Sequence, residues 1–511
     1  MNRTLISAVA GAVALSALGA AGSAPVHAQK SAQSSVSVGV VNDFAGWNPY
    51  ADSTAQMYMI WCQTYGCLGS FDTRTGEYEG MLAESWSVDK ADPRKWTFKL
   101  RKGLKRHKDG KELTADDVVH SLYRAKNDPR AAQTNNVRPI TKAEAIDKHT
   151  VLFTTKKPTA PLLAYIFGRL IITGKDLFDK HGSGADRKAP IGWGPYMVED
   201  ITIGQRMVLR KNTGWAGMKK ESPDRLIFKR VKEDEARITG LLNNELQIVQ
   251  FIPPHMVKRV EATKSVRIAE VPPAQVMFLA MNPAFKPWDN KKLRQAVSYA
   301  IDRELIVKSV FQGRASILQG PIGPGQYAYS PDVTPKYNYD LAKAKQLVKD
   351  AGYPNGVDVD FYATGDRYIN DRQVGQVVAD MLTKAGIRTK LHSPQWSIHW
   401  PAVRKGKVPF YYQGRSSVTD PSAFVNQYFH SGVTPRIMYK NPKVDELLIA
   451  ESQEFDPPTR KKILNQAFNL IQEDAPALFL WRVNMVYGLS NKVAFEPRSD
   501  ERVFGLDITV K

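Results

Sequence analysis

Cysteine is almost absent: the chain of 511 residues holds two, Cys62 and Cys67. So few thiols exclude a disulfide scaffold and a cage of thiolates around zinc as sources of stability. Standing five apart, the pair does not share a face of a continuous helix, and it reads as two buried thiols. A bridge requires the helix to end between them, which Gly66 permits. Long apolar runs are also scarce. Beyond the N-terminal segment the best candidate, Pro161 to Gly174, is interrupted by Arg169 and is too short to span a bilayer. Catalytic signatures are missing as well: there is no Gly-x-Ser-x-Gly elbow, no phosphate-cradling loop ending in Gly-Lys-Ser/Thr and no His-Glu-x-x-His pair. His392 and His399 flank Trp396 without an obvious third ligand, so they read as polar or packing residues rather than a metal site. No catalytic residue, metal or cofactor is expected.

Acidic residues are in deficit, 51 against 71 Lys and Arg, for a formal charge of +20. Nucleic acid or an anionic membrane would suit such a balance. The basic residues are scattered and form no block, however, which favours a solvated basic surface, and nucleic acid is an odd partner for an exported protein. Export is read from the N-terminus. Met1-Asn2-Arg3 is basic, Leu5 to Ala20 is apolar, and Val26-His27-Ala28 has the small-residue pattern of a cleavage site. A signal peptide over 1–28 is therefore expected, with no cysteine near it to carry a lipid, and a periplasmic location follows. The length calls for two or three domains, and the 43% hydrophobic and 24% charged content is that of a folded globular chain.

What the chain does hold is a stiff loop near its middle, Pro190-Ile191-Gly192-Trp193-Gly194-Pro195-Tyr196. Prolines fix φ and glycines allow close backbone approach, so Trp193 is held in one place. Two readings stand: packing at a crossover, or a ring lining a cleft. On the second, Trp193→Ala weakens affinity and leaves the melting temperature of the ligand-free protein nearly unchanged.

Along the chain, Ser35 to Val41 alternates as a first strand and Ser53 to Tyr65 reads as a helix. Glu84 to Val88 and Lys95 to Leu100 read as paired strands, with Trp96, Phe98 and Leu100 on one face. Thr114 opens a helix in capping style with Asp117 three later, and Val118, Val119, Leu122 and Tyr123 supply its buried face. Asn290 caps a helix running through Leu305 and Ile306. Asp340 caps another that stops at Gly352, Asn441-Pro442 starts a third, and Lys461 to Gln472 gives a fourth. Alternating strands and helices argue for two α/β lobes.

Several of these stretches carry a resemblance. Ala83-Glu84-Ser85-Trp86, Trp96 to Gly103, Asp109-Gly110 and Leu113 to Leu122 resemble the signature of the extracellular solute-binding proteins of peptide-type ABC importers (family 5). Gly192 to Tyr196 is similar to the family's Gly-Thr-Gly-Pro-Tyr loop, with tryptophan in place of threonine. Leu293 to Arg303 and Ala344 to Tyr353 resemble two further hallmarks, and the motifs run in family order from about Val36 to the C-terminus. The resemblance implies a two-lobed, type II periplasmic-binding-protein fold of the α/β class. Lobe I would comprise 29–60, 189–273 and 482–511, with an extra α/β subdomain at 61–188; lobe II would be 274–481. Two crossovers would form a hinge. It also implies a permease and ATPase subunits as partners, a small-molecule or short-peptide ligand, and no enzymatic activity. We expect a monomer.

A binding cleft needs aromatic faces and a few directed polar groups. Candidates are Asn42, Trp47, Trp193, Trp396, Trp400, Tyr411 and Tyr412, with core packing as the competing reading for each aromatic. The stretch Tyr411 to Pro421 is the most informative about ligand. In peptide-binding relatives the matching stretch carries a tryptophan, then an aspartate that receives the peptide's ammonium. Here Gly414 and Ser417 occupy those positions. Gln413, Arg415, Ser417 and Asp420 complete the candidate set, Arg415 offering a fork to a carboxylate or sugar hydroxyl, or alternatively a surface pair to Asp420. A peptide with a free N-terminus is thereby disfavoured unless another carboxylate approaches in three dimensions. Opine-type solutes and oligosaccharides are alternatives on the same fold. An exported glycosidase or other hydrolase, and a periplasmic chaperone, are the competing classes.

Overall fold

The structure, a computed structural model, describes residues 33–41, 46–51, 54–132, 134–188, 190–416 and 418–511. The expected signal peptide, Asn42 and Ser417 lie outside the described residues.

Ser35–Val40 forms a strand at the centre of a seven-stranded sheet. It runs parallel to Arg225–Arg230 and to Ile248–Val249. Both of its faces are covered. Val36, Val38 and Val40 are buried, and a Cβ on Gly39 would meet Leu246 at 2.8 Å. The remaining strands are antiparallel: Arg206–Lys211 and Tyr196–Thr202 extend one side, and Met485–Ser490 and Val266–Val271 the other.

A six-stranded sheet is built around Val276–Met281, whose six residues are all buried. A continuous apolar run of this kind belongs to a strand covered on both faces. On one face Met277, Leu279 and Met281 pack with Leu293, Ala344 and Val378 from three helices. On the other, Val276, Phe278 and Ala280 meet Phe424, Leu448 and Phe468 from three more. The chain passes between the two large sheets after Val271 and returns after Val483.

A third, four-stranded antiparallel sheet holds Ala83–Val88, Lys95–Leu100, Thr150–Thr155 and Ile140–Asp147. Trp96, Phe98 and Leu100 point into its core as the alternation requires. It reaches the helices of the six-stranded sheet directly: Ala160 N donates to Ser452 O at 2.8 Å, and the Trp96 and Phe455 rings lie 5.9 Å apart.

Capping signals placed the starts of several helices. Asn290, Asp340 and Asn441 each accept a hydrogen bond from a first-turn N–H. Three expectations are corrected. The helix after Asn290 ends at Ala300, and Asp302 caps a new helix over Arg303–Ser309, which turns Leu305 outward to 50% exposure. In the helix Ala115–Asn127, Ser121 and Ala125 complete the stripe begun by Val118 and Leu122, while Tyr123 faces solvent. Cys62 and Cys67 form a disulfide. The helix Ala55–Thr64 stops before Gly66, whose φ of 104° turns the chain back and brings the two Cα atoms to 5.1 Å.

Candidate functional site

The site is organised by the strand Phe410–Arg415 of the six-stranded sheet. Period-two alternation sorts its side chains. Phe410 and Tyr412 enter the core on one face, and Tyr411 enters the opposite core. Tyr411 is fully buried and its hydroxyl donates to Arg436 O at 3.0 Å. Gly414 is required for close approach, because a Cβ there would meet the Tyr368 ring at 2.7 Å, and the Tyr368 hydroxyl donates to Gly414 O.

Around Tyr411 lies a group of polar atoms that are buried yet have no hydrogen-bond partner among the described residues: Gln413 Oε1, Arg415 Nε, Tyr428 Oη, Arg436 Nε and His399 Nε2. Native interiors satisfy nearly all such atoms, so a cluster of exceptions calls for an explanation. Arg415 has no carboxylate within ion-pair distance among the described residues. Burial, and then the neighbouring Arg169 and Arg436 cations, push its guanidinium down to about 10. It stays protonated at neutral pH and would gain most from an incoming anion. Arg436 lies over the rings of Trp400 at 5.0 Å and Tyr428 at 4.8 Å, and donates to Gln427 Oε1. From the opposite side come Arg169 and Tyr58, the cation 5.8 Å from the ring centre.

Trp396 and Trp400, one helical turn apart, stack at 5.3 Å with planes 9° apart, and both are half-buried. Arg367 lies over Trp396 and Tyr368, 5.3 Å from each. Beside this group a narrow crevice is lined by Phe71, Tyr78, Phe167, Arg169 and Arg502 on one side and Thr419 on the other.

Several predicted residues lie elsewhere. Trp193 is 1% exposed, within the core of the four-stranded sheet. Its indole N–H donates to Lys111 O, and Arg106 sits over the ring at 5.4 Å. Of the two readings, packing is the one the structure supports, since the flanking glycines press against the end of the helix Ala55–Thr64. A Cβ on Gly192 would meet Tyr65 Cα, and one on Gly194 would meet Gln63 O, each at 2.2 Å. Trp47 lines a separate cavity of about 400 Å³ with Asn48, Met57, Arg130 and Asp186. Tyr412 is buried beside Trp481 and Tyr368.

Asp420 is buried and pairs with Arg460, not Arg415: its two oxygens each accept from the guanidinium at 2.8 Å. Glu451 takes the third edge of the same fork at 3.1 Å and accepts from Ser422 at 2.7 Å. Burial holds its carboxyl up at about 7. His392 bonds Asp360 at 2.6 Å and stacks on Tyr362, while burial pushes His399 down to about 4. Sequence reasoning missed Tyr58, Arg169, Arg436 and Tyr428. Arg169 carried a signal, an arginine inside an apolar run.

A family model described as Bacterial extracellular solute-binding proteins, family 5 Middle, matches residues 77–435, well over half of the chain. The chain belongs to this family. It is similar to the dipeptide-binding protein of Escherichia coli (strain K12), with 28% identity over 472 residues covering 85% of this chain and 86% of the relative. It is also similar to the glutathione-binding protein GsiB of Pectobacterium atrosepticum, with 28% identity and 92% of both chains covered. A solved structure of the binding protein MoaA in complex with mannopinic acid, from A. tumefacien R10, superposes with a TM-score of 0.79 at 25% identity, covering 94% of this chain and 100% of that one. As a family 5 solute-binding protein, the chain has the two-lobed α/β fold of these neighbours. No helix among its described residues is long and apolar enough to cross a membrane.

Proposed function

We propose that this solute-binding protein captures a carboxylate-bearing, peptide-like solute between two lobes and delivers it to the permease and ATPases of an ABC importer. The observation that carries this reading is the half-buried Arg415, which has no ion pair among the described residues, whose buried Nε lacks a hydrogen-bond partner there, and which has Tyr428, Arg436 and Arg169 for neighbours. An uncompensated cation in a poorly hydrated crevice is costly, and an anionic solute offsets that cost with charge-assisted hydrogen bonds. The mature chain is a periplasmic monomer released from a signal peptide at 1–28. Its lobe I is 29–60, 189–273 and 482–511 with a subdomain at 61–188, and its lobe II is 274–481. Ligand contacts made to both lobes favour the closed state, and no covalent bond is made or broken. The names of the dipeptide-, glutathione- and mannopinic-acid-binding relatives support this solute class, each being an amino-acid derivative with carboxylate groups. Against a hydrolase, Asp420 and Glu451 are both committed to Arg460 and do not face each other across an open gap as a catalytic pair would.

Native mass spectrometry of protein taken from its own periplasm, with small-angle scattering of the same sample before and after ligand removal, tests the proposal. We expect one anionic solute per chain, recovered unchanged, and larger dimensions after removal. A chemically altered solute, or dimensions that do not change, would overturn it.

A further inference from the structure

The narrow crevice shared by Arg169, Arg502 and Thr419 draws on three segments far apart in the chain. It holds about 10 Å³, room for one water-sized body and too little for a peptide, a sugar or any solute of the class proposed above. Much of the remaining wall is aromatic, with the Phe71 and Tyr78 rings meeting edge to face at 5.0 Å.

Arg502 is poorly satisfied for a group so deeply placed. It is 5% exposed, yet of its five N–H groups one alone finds an acceptor among the described residues, Nη2 donating to Gly168 O at 3.1 Å. Its Nε is buried with no hydrogen-bond partner there, and its ion-pair contact to Asp500 is long, at 3.7 Å. The chain gives up a side chain to seat this guanidinium. Gly168 takes a φ of 67°, and a Cβ on it would meet Arg502 Nη1 at 2.1 Å.

Charge on the wall is unbalanced. Arg169, 9% exposed, brings a second guanidinium to the same crevice, and its cation, like that of Arg498, acts against Arg502. Asp500 is the one carboxylate among the described lining residues, and Arg498 already holds both of its oxygens at 3.0 Å. Burial pushes the Arg502 guanidinium down to about 10, so it stays charged at neutral pH. Two cations beside a dry space whose carboxylate is committed elsewhere are costly. A small anion relieves that cost more fully than water, a neutral dipole, can.

We infer that the crevice is a halide site, in which one chloride ion is held by guanidinium N–H groups of Arg502 and Arg169, with Thr419 closing the opposite side. Volume selects the class, because carboxylate, sulfate and phosphate groups exceed a single water-sized space. Thr419 follows the strand Phe410–Arg415, so an occupied site ties the six-stranded sheet to the segments that carry the two arginines. The inference is independent of the proposed function, whose solute is too large to enter the crevice.

The test uses the protein as purified. Crystals grown in sodium bromide give anomalous diffraction at the bromine edge. Melting temperature is followed as chloride replaces methanesulfonate at constant ionic strength, for wild type, Arg502→Gln and Arg169→Gln. We expect one anomalous peak in the crevice, in contact with both guanidinium groups. The wild-type melting temperature should rise by about 2 °C on the exchange, and Arg502→Gln should lose that rise. A crevice that holds water only overturns the inference. So does a peak accompanied by an equal rise in Arg502→Gln, which makes the halide an adventitious ion only. Should Arg502→Gln fail to fold, Arg169→Gln takes its place, and an undiminished rise there overturns the inference in the same way. Each of these failures leaves the proposed function standing.

Discussion

Two tryptophan-bearing regions attract notice in the sequence for the same reason, and the fold uses them oppositely. Trp193 sits in a loop whose glycines let the backbone press onto Tyr65 and Gln63, so its ring is driven into a core and its one polar atom is satisfied. Trp396 and Trp400 start a helix at the end of a sheet, stack on each other and keep their outer edges accessible beside Arg367 and Arg436. The loop has its polar groups paired: His107 N–H donates to Gly192 O, and His107 Nε2 lies 2.9 Å from Gly194 O. At the helix, His399 Nε2 and the Nε of the adjoining Arg436 are buried with no hydrogen-bond partner among the described residues. Aromatic content therefore does not separate core from cleft. Between these two regions the pairing of the neighbouring polar groups differs, although core indoles such as Trp96 and Trp481 also leave Nε1 without a partner among the described residues.

That contrast can be broken most decisively at Trp193. Replacement by alanine should cost about 3–5 kcal/mol, lowering the melting temperature of the ligand-free protein by several degrees. A melting temperature within one degree or so of wild type would return the ring to the cleft reading.

The next largest effect is acidification of the same loop. Burial pushes His107 down to about 4, with only a partial opposing pull from its bond to Gly194. Between about pH 6.5 and 4 the unfolded ring holds more protons than the native one, so stability falls as pH drops through that window. The full loss is roughly 3 kcal/mol. Denaturant midpoints at several pH values should show the slope in wild type and a flattened slope in His107→Gln. Equal slopes would mean the ring protonates without strain.

On the other side of the comparison, Arg415→Ala should weaken the anionic solute by roughly 10- to 100-fold. Its ligand-free melting temperature should hold steady or rise, because the change removes a half-buried charge that has no ion pair among the described residues. A drop in stability with affinity preserved would make Arg415 a structural residue. Smallest is Trp400→Ala, which takes one aromatic face from Arg436 and should cost about 1 kcal/mol of affinity, near fivefold, with little change in melting. Titration calorimetry separates the two variants. An effect of Trp400→Ala exceeding that of Arg415→Ala would favour a stacked, uncharged ligand such as an oligosaccharide.

Local sequence rules made much of the fold legible. Strand alternation in Lys95–Leu100 and helix caps at Asn290, Asp340 and Asn441 appear as expected, because both depend on residues within a few positions of one another. Where a signal overran its element, a competing local signal explains it. Asp302 offered its carboxylate to Leu305 N and split a helix that apolar spacing alone had extended. The site was less legible. Arg415 was visible in the sequence, but its company of Arg169, Tyr428 and Arg436 comes from segments far apart in the chain.

The order of motifs by itself carried the resemblance to the family, and that resemblance implied the two-lobed architecture, while hydrophobic period, capping and turn chemistry, written within short windows, located individual strands and helices. Charge pairing was decided only by tertiary structure. Arg460, forty residues beyond Asp420, satisfies that carboxylate, and among the described residues Arg415 has none within ion-pair distance. Coulomb energy depends on distance through space and on burial, and neither is encoded in the spacing of two residues along a chain.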